Sequence, residues 1–289
     1  MTRVIFTADD FGLSPFVNEA VERGHREGVL GCASLMVAAP ATEDAVERAR
    51  RLPTLRVGLH VVLVNGRPIL PPERVPALVD AAGAFPSDLF RAGVTYFARP
   101  AARRQLRDEV RAQFEAFRAT GLDLDHVNAQ NHFHVHPTVF ATIVSVGREF
   151  GLRAVRIPRE PFWPSWRSAR THFGARLAND ALLAPWLALM TWRARRAGLA
   201  CNDSVFGMID SGAMTPARVK RILAELPAGT NEVYLHPATQ PWPEGVAAMP
   251  GYAFAEEFAA LIDPGVGAAL LASGVRRTTF SELAATRGG

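Results

Sequence analysis

Short runs of β-branched or apolar residues alternate with longer helical patterns along almost the whole chain. Eight of these runs are candidate strands, at 3–8, 33–38, 55–62, 125–130, 153–157, 204–209, 231–236 and 275–279. Five longer stretches repeat apolar residues at the 3.6-residue period of helices that cover a sheet, at 17–30, 41–52, 102–121, 137–151 and 215–229. This alternation predicts an α/β fold with a largely parallel sheet, and seven or eight such units predict a TIM-like (β/α) barrel, regular or distorted.

Two stretches interrupt the alternation. Residues 63–99 are proline-rich and irregular, and residues 159–203 contain the aromatic and proline cluster "PFWPSW". We expect both to be insertions at the rim of the barrel. With 289 residues, of which 48% are apolar, the chain can bury a full core. We expect residues 1–289 to form a single domain.

The excess of basic over acidic residues, 32 against 28, makes nucleic-acid binding a class to consider. Lys220 is the only lysine, and the arginines are scattered in pairs among apolar helical patterns. No basic stretch is interleaved with aromatic residues, as single-strand binding would favour. We therefore expect no nucleic-acid partner.

The two cysteines, Cys32 and Cys201, lie far apart and form no CxxC motif. This excludes a thiolate metal site and a disulfide framework, and it fits a reducing compartment. The first residues reach Asp9 and Asp10 before a long apolar run can develop, which argues against a secretory signal or an initial membrane span. The expected location is cytoplasmic.

Ionisable residues follow most of the candidate strands. In α/β barrels the functional groups stand at the carboxyl ends of the strands. The first strand ends in Asp9 and Asp10, the third in His60, the fifth in Arg156 and the seventh in His236. These strand ends therefore predict the position of a functional site.

The fourth strand leads into "DHVNAQNHFHVHPTV" at 125–139, which holds four of the eight histidines. Six of its polar residues share parity and would line one face of an extended chain: His126, Asn128, Gln130, His132, His134 and His136. At roughly 3.3 Å per residue they would span about 33 Å, whereas metal ligands gather within roughly 2.0 to 2.2 Å of one ion. One or two can be ligands, and the others orient ligands, contact substrate or support the structure.

Carboxylate and imidazole groups from three separate strand ends have the composition of an open divalent metal site. If the backbone turns at the end of the strand, Asp9 and Asp10 both reach the mouth, one to bind the metal and one to act as a base. The alternative is that one of them caps the helix that begins near Ser14. A nucleophilic triad is disfavoured because the chain has no "GxSxG" elbow. Metal-assisted hydrolysis is the predicted class.

Five motifs resemble those of the YdjC-type carbohydrate deacetylases, in an order and spacing that match over nearly the whole chain. They are "TADDFG" at 7–12, "GLH" at 58–60, "HVNAxxHxHxHP" at 126–137, "RIP" at 156–158 and "YLHP" at 234–237. "DHVNA" and "SGAMT" make the chain most similar to the members associated with hopanoid biosynthesis. The resemblance implies removal of the N-acetyl group from a glucosamine that is attached to a hopanoid lipid.

Carried onto this sequence, the resemblance implies that Asp10 and His60 are metal ligands and that Asp9 is the base that takes a proton from the attacking water. It makes Arg156 the residue that orients Asp9 and keeps it ionised. His236 is the candidate acid that protonates the leaving amine. The implied cofactor is a divalent metal ion, with zinc, magnesium and nickel all open.

Gln130 departs from the family pattern, because it stands where the resemblance places a third histidine ligand. An amide oxygen is a weaker ligand for zinc than imidazole but is acceptable to harder ions such as magnesium. Three outcomes stay open: Gln130 binds a hard metal, His132 or His134 takes its place, or the site is impaired.

Residues 181–200, "ALLAPWLALMTWRARRAGLA", combine apolar bulk, two tryptophans and several arginines. This composition is typical of a segment at a membrane interface, which would give a peripheral contact with the inner membrane. The alternatives are a lid over the barrel mouth or the face of a homodimer.

The expected partner is an N-acetylated glycolipid or amino sugar. Two other functions stay open: a non-catalytic glycolipid-binding or accessory protein, and a deacetylase of soluble chitooligosaccharides.

Overall fold

Parallel strands form a curled sheet at the centre of the molecule. The computed structural model describes residues 1–286. Within them lie β1 (Thr2–Phe11), β2 (Cys32–Leu35), β3 (Arg56–Val61), β4 (Leu124–Ala129), β5 (Ser204–Phe206), β6 (Gly229–Leu235) and β7 (Arg276–Arg277). Six strands follow the order β4-β3-β2-β1-β6-β5, and β7 pairs with the start of β1. The predicted α/β barrel is confirmed as a distorted TIM-like barrel.

The curl continues past β4 through isolated contacts. Val127 bridges to Val155, Ala154 bridges to Ala200, and the Val205 amide donates to the Arg159 carbonyl at 2.8 Å. The strand predicted at 153–157 is therefore reduced to single bridges. One cause is Asn202, whose side-chain amide bonds both the N–H and the carbonyl of Ile157, each at 2.8 Å, in place of a neighbouring strand.

The five predicted covering helices are confirmed, and seven more lie in the described residues. They are α1 (Pro15–Glu27), α2 (Thr42–Arg50), α3 (Leu89–Ala98), α4 (Pro100–Ala119), α5 (Pro137–Glu149), α6 (Phe162–Ala169), α7 (Phe173–Arg196), α8 (Pro216–Glu225), α9 (Pro243–Ala248), α10 (Phe254–Ile262), α11 (Pro264–Ala272) and α12 (Phe280–Ala285). Ser14 caps α1, since its Oγ accepts from the Val17 amide at 3.2 Å. The aspartates that precede it are thereby left for another role.

Both insertions contain helices and are held by buried polar side chains. The first, 63–99, contains α3, and Glu109 of α4 accepts from the amides of Ile69 and Leu70 at 2.9 and 3.0 Å. The second, 159–203, contains α6 and α7. No helix in residues 1–286 combines the length and apolar character needed to cross a membrane.

Arg176 of α7 connects the second insertion to the barrel. Its guanidinium is buried and bonds Glu160 at 3.0 Å and both carboxylate oxygens of Asp210 at 2.7 Å. Glu160 also accepts from the amides of Met208 and Ile209, just after β5. The insertion is therefore joined to the barrel rim by an ionic cluster as well as by apolar contacts.

Candidate active site

A cavity of about 590 Å³ opens at the carboxyl ends of the strands, and we call it the mouth cavity. Its lining includes Asp9, Asp10, His60, Gln130 and His236. The structure thus brings together five of the six site residues predicted from sequence. The sixth, Arg156, is fully buried beneath the cavity.

The end of β1 presents both aspartates to the mouth cavity. Neighbouring residues of a regular strand point to opposite faces. Here the register of β1 against β2 shifts between Ala8 and Phe11, and Asp10 adopts a left-handed backbone with φ of 63°. This turn of the backbone lets Asp9 and Asp10 reach one cavity.

Arg156 binds two carboxylates at once. Its guanidinium donates to Asp9 at 2.5 and 3.0 Å and to Glu232 at 2.7 and 2.9 Å. Burial opposes the ionised form of Asp9, but the charge and hydrogen bonds of Arg156 outweigh it and hold the Asp9 pKa well below its usual value. Sequence reasoning missed Glu232, although an acidic residue within the apolar strand β6 was a usable signal.

His60, on β3, contacts side chains of two other strands, β4 and β1. Its Nδ1 lies 2.7 Å from Oδ1 of Asn128, its partner in the β3–β4 register, and its Nε2 lies 3.4 Å from Oδ1 of Asp10. Asn128 also donates to Asp9 at 3.0 Å. The Asn128 amide on β4 therefore links the Asp9 carboxylate to the His60 imidazole, and Asp10 faces the other nitrogen of the same ring.

The single extended face predicted for the histidine segment is wrong beyond Ala129. There β4 ends, and residues 130–135 form a 3-10 turn in which Asn131 and His132 have φ of 52° and 50°. The turn sends Gln130 and His132 to the mouth cavity. His134 lies beneath the site, where its Nε2 donates to the Arg156 carbonyl at 3.0 Å. An alternating pattern cannot reveal a left-handed turn at non-glycine residues.

Gln130 leaves one polar atom without a partner. Its Nε2 donates weakly to the Asn65 carbonyl at 3.4 Å, whereas its Oε1 is buried and accepts no hydrogen bond. No group of three His, Cys, Asp or Glu side chains in residues 1–286 is arranged to hold a metal ion. Asp10, His60 and Gln130 nevertheless line the same cavity and offer a carboxylate, an imidazole and an amide oxygen as donors. This set fits a divalent cation that accepts oxygen ligands.

His236 lies across the cavity and is supported by residues that sequence reasoning missed. Its Nδ1 lies 3.5 Å from Oγ of Ser211 and 3.9 Å from Oε2 of Glu257, and its backbone amide also donates to Glu257. Ser211 in turn bonds the Tyr252 hydroxyl at 2.7 Å. Burial raises the pKa of Glu257. These contacts join residues far apart in sequence, and although Ser211 begins the "SGAMT" motif, that motif by itself gave no indication of its partners.

Nε2 of His132 lies 2.9 Å from the Tyr234 hydroxyl oxygen. The Arg156 guanidinium lies over the Tyr234 ring, 4.7 Å from its centroid. Burial and the positive charge of Arg156 hold the pKa of His132 well below its usual value. His132 is therefore a neutral imidazole at neutral pH and supplies polar but uncharged lining.

The fold and the site together define a TIM-like barrel protein whose ionisable residues gather where barrel enzymes carry their active sites. The chain belongs to the family described as YdjC-like protein, whose sequence model matches residues 3–272.

A carbohydrate deacetylase of Brevibacillus brevis is 38% identical over 156 residues, which are 54% of this chain and 59% of that protein. A carbohydrate deacetylase of Geobacillus stearothermophilus is 30% identical over 280 residues, or 96% of this chain and 97% of that protein. The crystal structure of a protein of Enterococcus faecalis V583, described as a cellobiose-phosphate cleavage protein, superposes on this chain with a TM-score of 0.75. The match covers 98% of each chain, and the two sequences are 23% identical. That similarity shows the fold.

Proposed function

We propose that this protein is a metal-dependent hydrolase that removes the N-acetyl group from an N-acetylglucosamine-type sugar. One observation carries the proposal: Asp9, Asp10 and His60 face a single cavity, and Arg156 holds Asp9 ionised from below. The name carbohydrate deacetylase, borne by relatives with 30% and 38% identity, supports the same reaction.

The side chains fit the two proton transfers of amide hydrolysis. The oxygen of the attacking water bonds to the acetyl carbon, and Asp9 accepts the proton that the water loses. The C–N bond then breaks, and His236, as imidazolium, donates a proton to the departing amine nitrogen. Ser211 and Glu257 orient His236 for this step. Acetate and the free amino sugar are the products.

We assign the metal to Asp10, His60 and Gln130. A divalent cation supplies Lewis acidity in such a site, where it polarises the amide carbonyl and favours ionisation of water. The unpartnered Oε1 of Gln130 supports its assignment as the third donor. An oxygen-rich set favours magnesium over zinc.

For the substrate we propose a sugar on an apolar carrier, as in a hopanoid glycolipid. Apolar side chains contribute to the lining of the mouth cavity: Leu13, Met36, Leu89, Met208 and Met249. Beyond Leu89, the exposed side chains of Phe90, Val94 and Phe97 follow one stripe of α3 at helical spacing. A carrier that leaves the cavity along α3 would meet this stripe.

The experiment uses metal-stripped protein reloaded with zinc, magnesium or nickel. An N-acetylglucosaminyl lipid and a soluble chitooligosaccharide serve as parallel substrates, and released acetate is measured. We expect magnesium-dependent release from the lipid that is lost in Asp9→Asn. Equal or faster cleavage of the chitooligosaccharide would contradict the apolar carrier but support the deacetylase.

A second candidate is a glycolipid-binding protein without catalysis, favoured by the replacement of an ionisable ligand by Gln130. Gln130→His separates the two. If the unmodified chain releases no acetate and the variant does, the metal site of this chain is impaired. Activity in both would assign Gln130 as a working ligand.

We also propose that residues 181–200 contact the membrane. Trp192 is 54% exposed and Leu182 is largely exposed, whereas Trp186 points inward and donates to the Val135 carbonyl at 2.7 Å. Trp192→Ala should therefore weaken co-sedimentation with anionic vesicles severalfold. Trp186→Ala tests the lid alternative, and a doubled mass in sedimentation velocity would instead indicate a homodimer. Unchanged co-sedimentation of Trp192→Ala would contradict the membrane contact.

A further inference from the structure

A chain of buried hydrogen bonds runs from the start of β4 to the mouth cavity. Asp125 bonds His126 at 2.9 Å, His126 bonds Ser34 at 3.1 Å, and Ser34 bonds Asn128 at 2.9 Å. All four side chains are buried, and Asn128 contacts both Asp9 and His60. The roles assigned to the site so far do not involve Asp125, His126 or Ser34.

The donors and acceptors of this chain have one consistent direction. Burial opposes ionisation of Asp125, but hydrogen bonds from His126 and Ser281 hold its pKa below the usual value, so the carboxylate accepts. Nδ1 of His126 lies against this carboxylate and therefore donates to it. Oγ of Ser34 lies 3.1 Å from Nε2 of His126 and accepts from Nδ2 of Asn128 at 2.9 Å.

Asp9 fixes the same orientation of Asn128 independently. Both Asp9 oxygens accept from the Arg156 guanidinium, so the atom of Asn128 that lies 3.0 Å from Asp9 is the NH₂ group. The Asn128 carbonyl oxygen therefore faces Nδ1 of His60 at 2.7 Å. Because a carbonyl oxygen only accepts, Nδ1 of His60 carries a proton, and in the neutral ring the lone pair of Nε2 faces Asp10.

We infer that Asn128 is a positioning residue that sets the tautomer of His60, in an orientation that Asp9 fixes and that Ser34, His126 and Asp125 support. The inference rests on the proposed metal site, because an unprotonated Nε2 facing a carboxylate is the arrangement that a cation would bridge.

The packing around His126 supports a fixed orientation. A Cβ on Gly58 would lie 2.5 Å from the His126 ring, so the glycine of the "GLH" motif gives this imidazole its place between the strands. On another side, Phe280 of α12 stacks on the ring at a centroid distance of 4.5 Å. The ring can neither rotate nor shift without displacing its neighbours.

The test measures the tautomer of His60 in the full chain without metal. In protein labelled with ¹⁵N-histidine, two-bond ¹⁵N–¹H correlation spectra at alkaline pH distinguish a protonated Nδ1 from a protonated Nε2. We expect the Nδ1-protonated form in the unmodified protein. In Asn128→Leu a mixture should appear, and affinity for Mn²⁺ alone should fall by about 10- to 100-fold.

Asn128→Asp is the matched variant, since a carboxylate still accepts from His60 but cannot donate to Asp9. It should keep the tautomer that Asn128→Leu loses. Asn128→Ala is the milder change if the leucine variant fails to fold, and it should also give a mixture. An Nε2-protonated His60 in the unmodified protein, or a tautomer unchanged in Asn128→Leu or Asn128→Ala, would overturn the inference. The spectra need no substrate, so a correct tautomer without acetate release would refute only the proposed function.

Discussion

At the residue scale, the buried His134 beneath the site makes the stability of the fold depend on pH on the acid side. It is fully buried, and burial together with the charge of Arg156 lowers the pKa of His134 to about 3, against about 6.5 for an unfolded histidine. As the pH falls, the unfolded state therefore binds the proton first. Stability is retained above about pH 6.5 and is lost progressively toward pH 3.

His134→Gln should reduce this acid-side loss, because an amide does not titrate and can still donate to the Arg156 carbonyl. The free energy of unfolding, measured in urea between pH 3 and 7, should slope less steeply in the variant. His132 titrates in the same direction and should leave part of the slope. His172→Asn, a change at an exposed histidine, is the control. An identical slope in His134→Gln and the unmodified protein would contradict the assignment.

At the element scale, the attachment of α6 and α7 depends on Arg176. Arg176→Met would leave Glu160 buried without its ionic partner, whereas Asp210 keeps its ion pair with Arg218. Removing one partner of a buried ion pair typically costs about 3–5 kcal/mol. We expect a lower free energy of unfolding by that amount and faster proteolysis within 159–203.

The control for this prediction lies on the same helix. Arg195 pairs with Asp203 at 2.7 Å, but the two side chains are 45% and 43% exposed. Because exposed pairs contribute at most about 1 kcal/mol, Arg195→Met should change stability little. Equal losses in the two variants would show that the buried cluster does not hold the insertion.

The elements differ in how far the sequence predicts them. The covering helices follow from apolar periodicity, which burial on one side enforces. The segment 153–157 has the composition of a strand, yet the side chain of Asn202 bonds its backbone instead. Likewise, α3 lies in a stretch that composition predicts to be irregular. Such outcomes depend on partners that are distant in sequence.

The site shows the same division at the scale of the whole molecule. Asp9, Asp10, His60 and His236 were predictable because a parallel barrel gathers its strand ends at one mouth. Glu257 was not, since it acts through a residue of another element. Glu232 was signalled only as an acidic residue within an apolar strand, and its partner Arg156 lies on a distant segment. The direction of the hydrogen bonds around Asn128 required coordinates, because sequence parity says nothing about which atom of an amide faces which neighbour.

The pairing of β1 has a consequence for synthesis on the ribosome. Residues 2–8 of β1 pair on one side with β6, residues 229–235, so more than 200 residues must follow before that edge can be covered. At roughly 5–20 residues per second, this takes on the order of 10 to 45 s. During that time a strand with the buried residues Val4, Ile5 and Phe6 has an unpaired edge, which is a site for association between chains. Nascent chains of this protein should therefore depend on chaperones more than those of proteins whose first strand pairs locally.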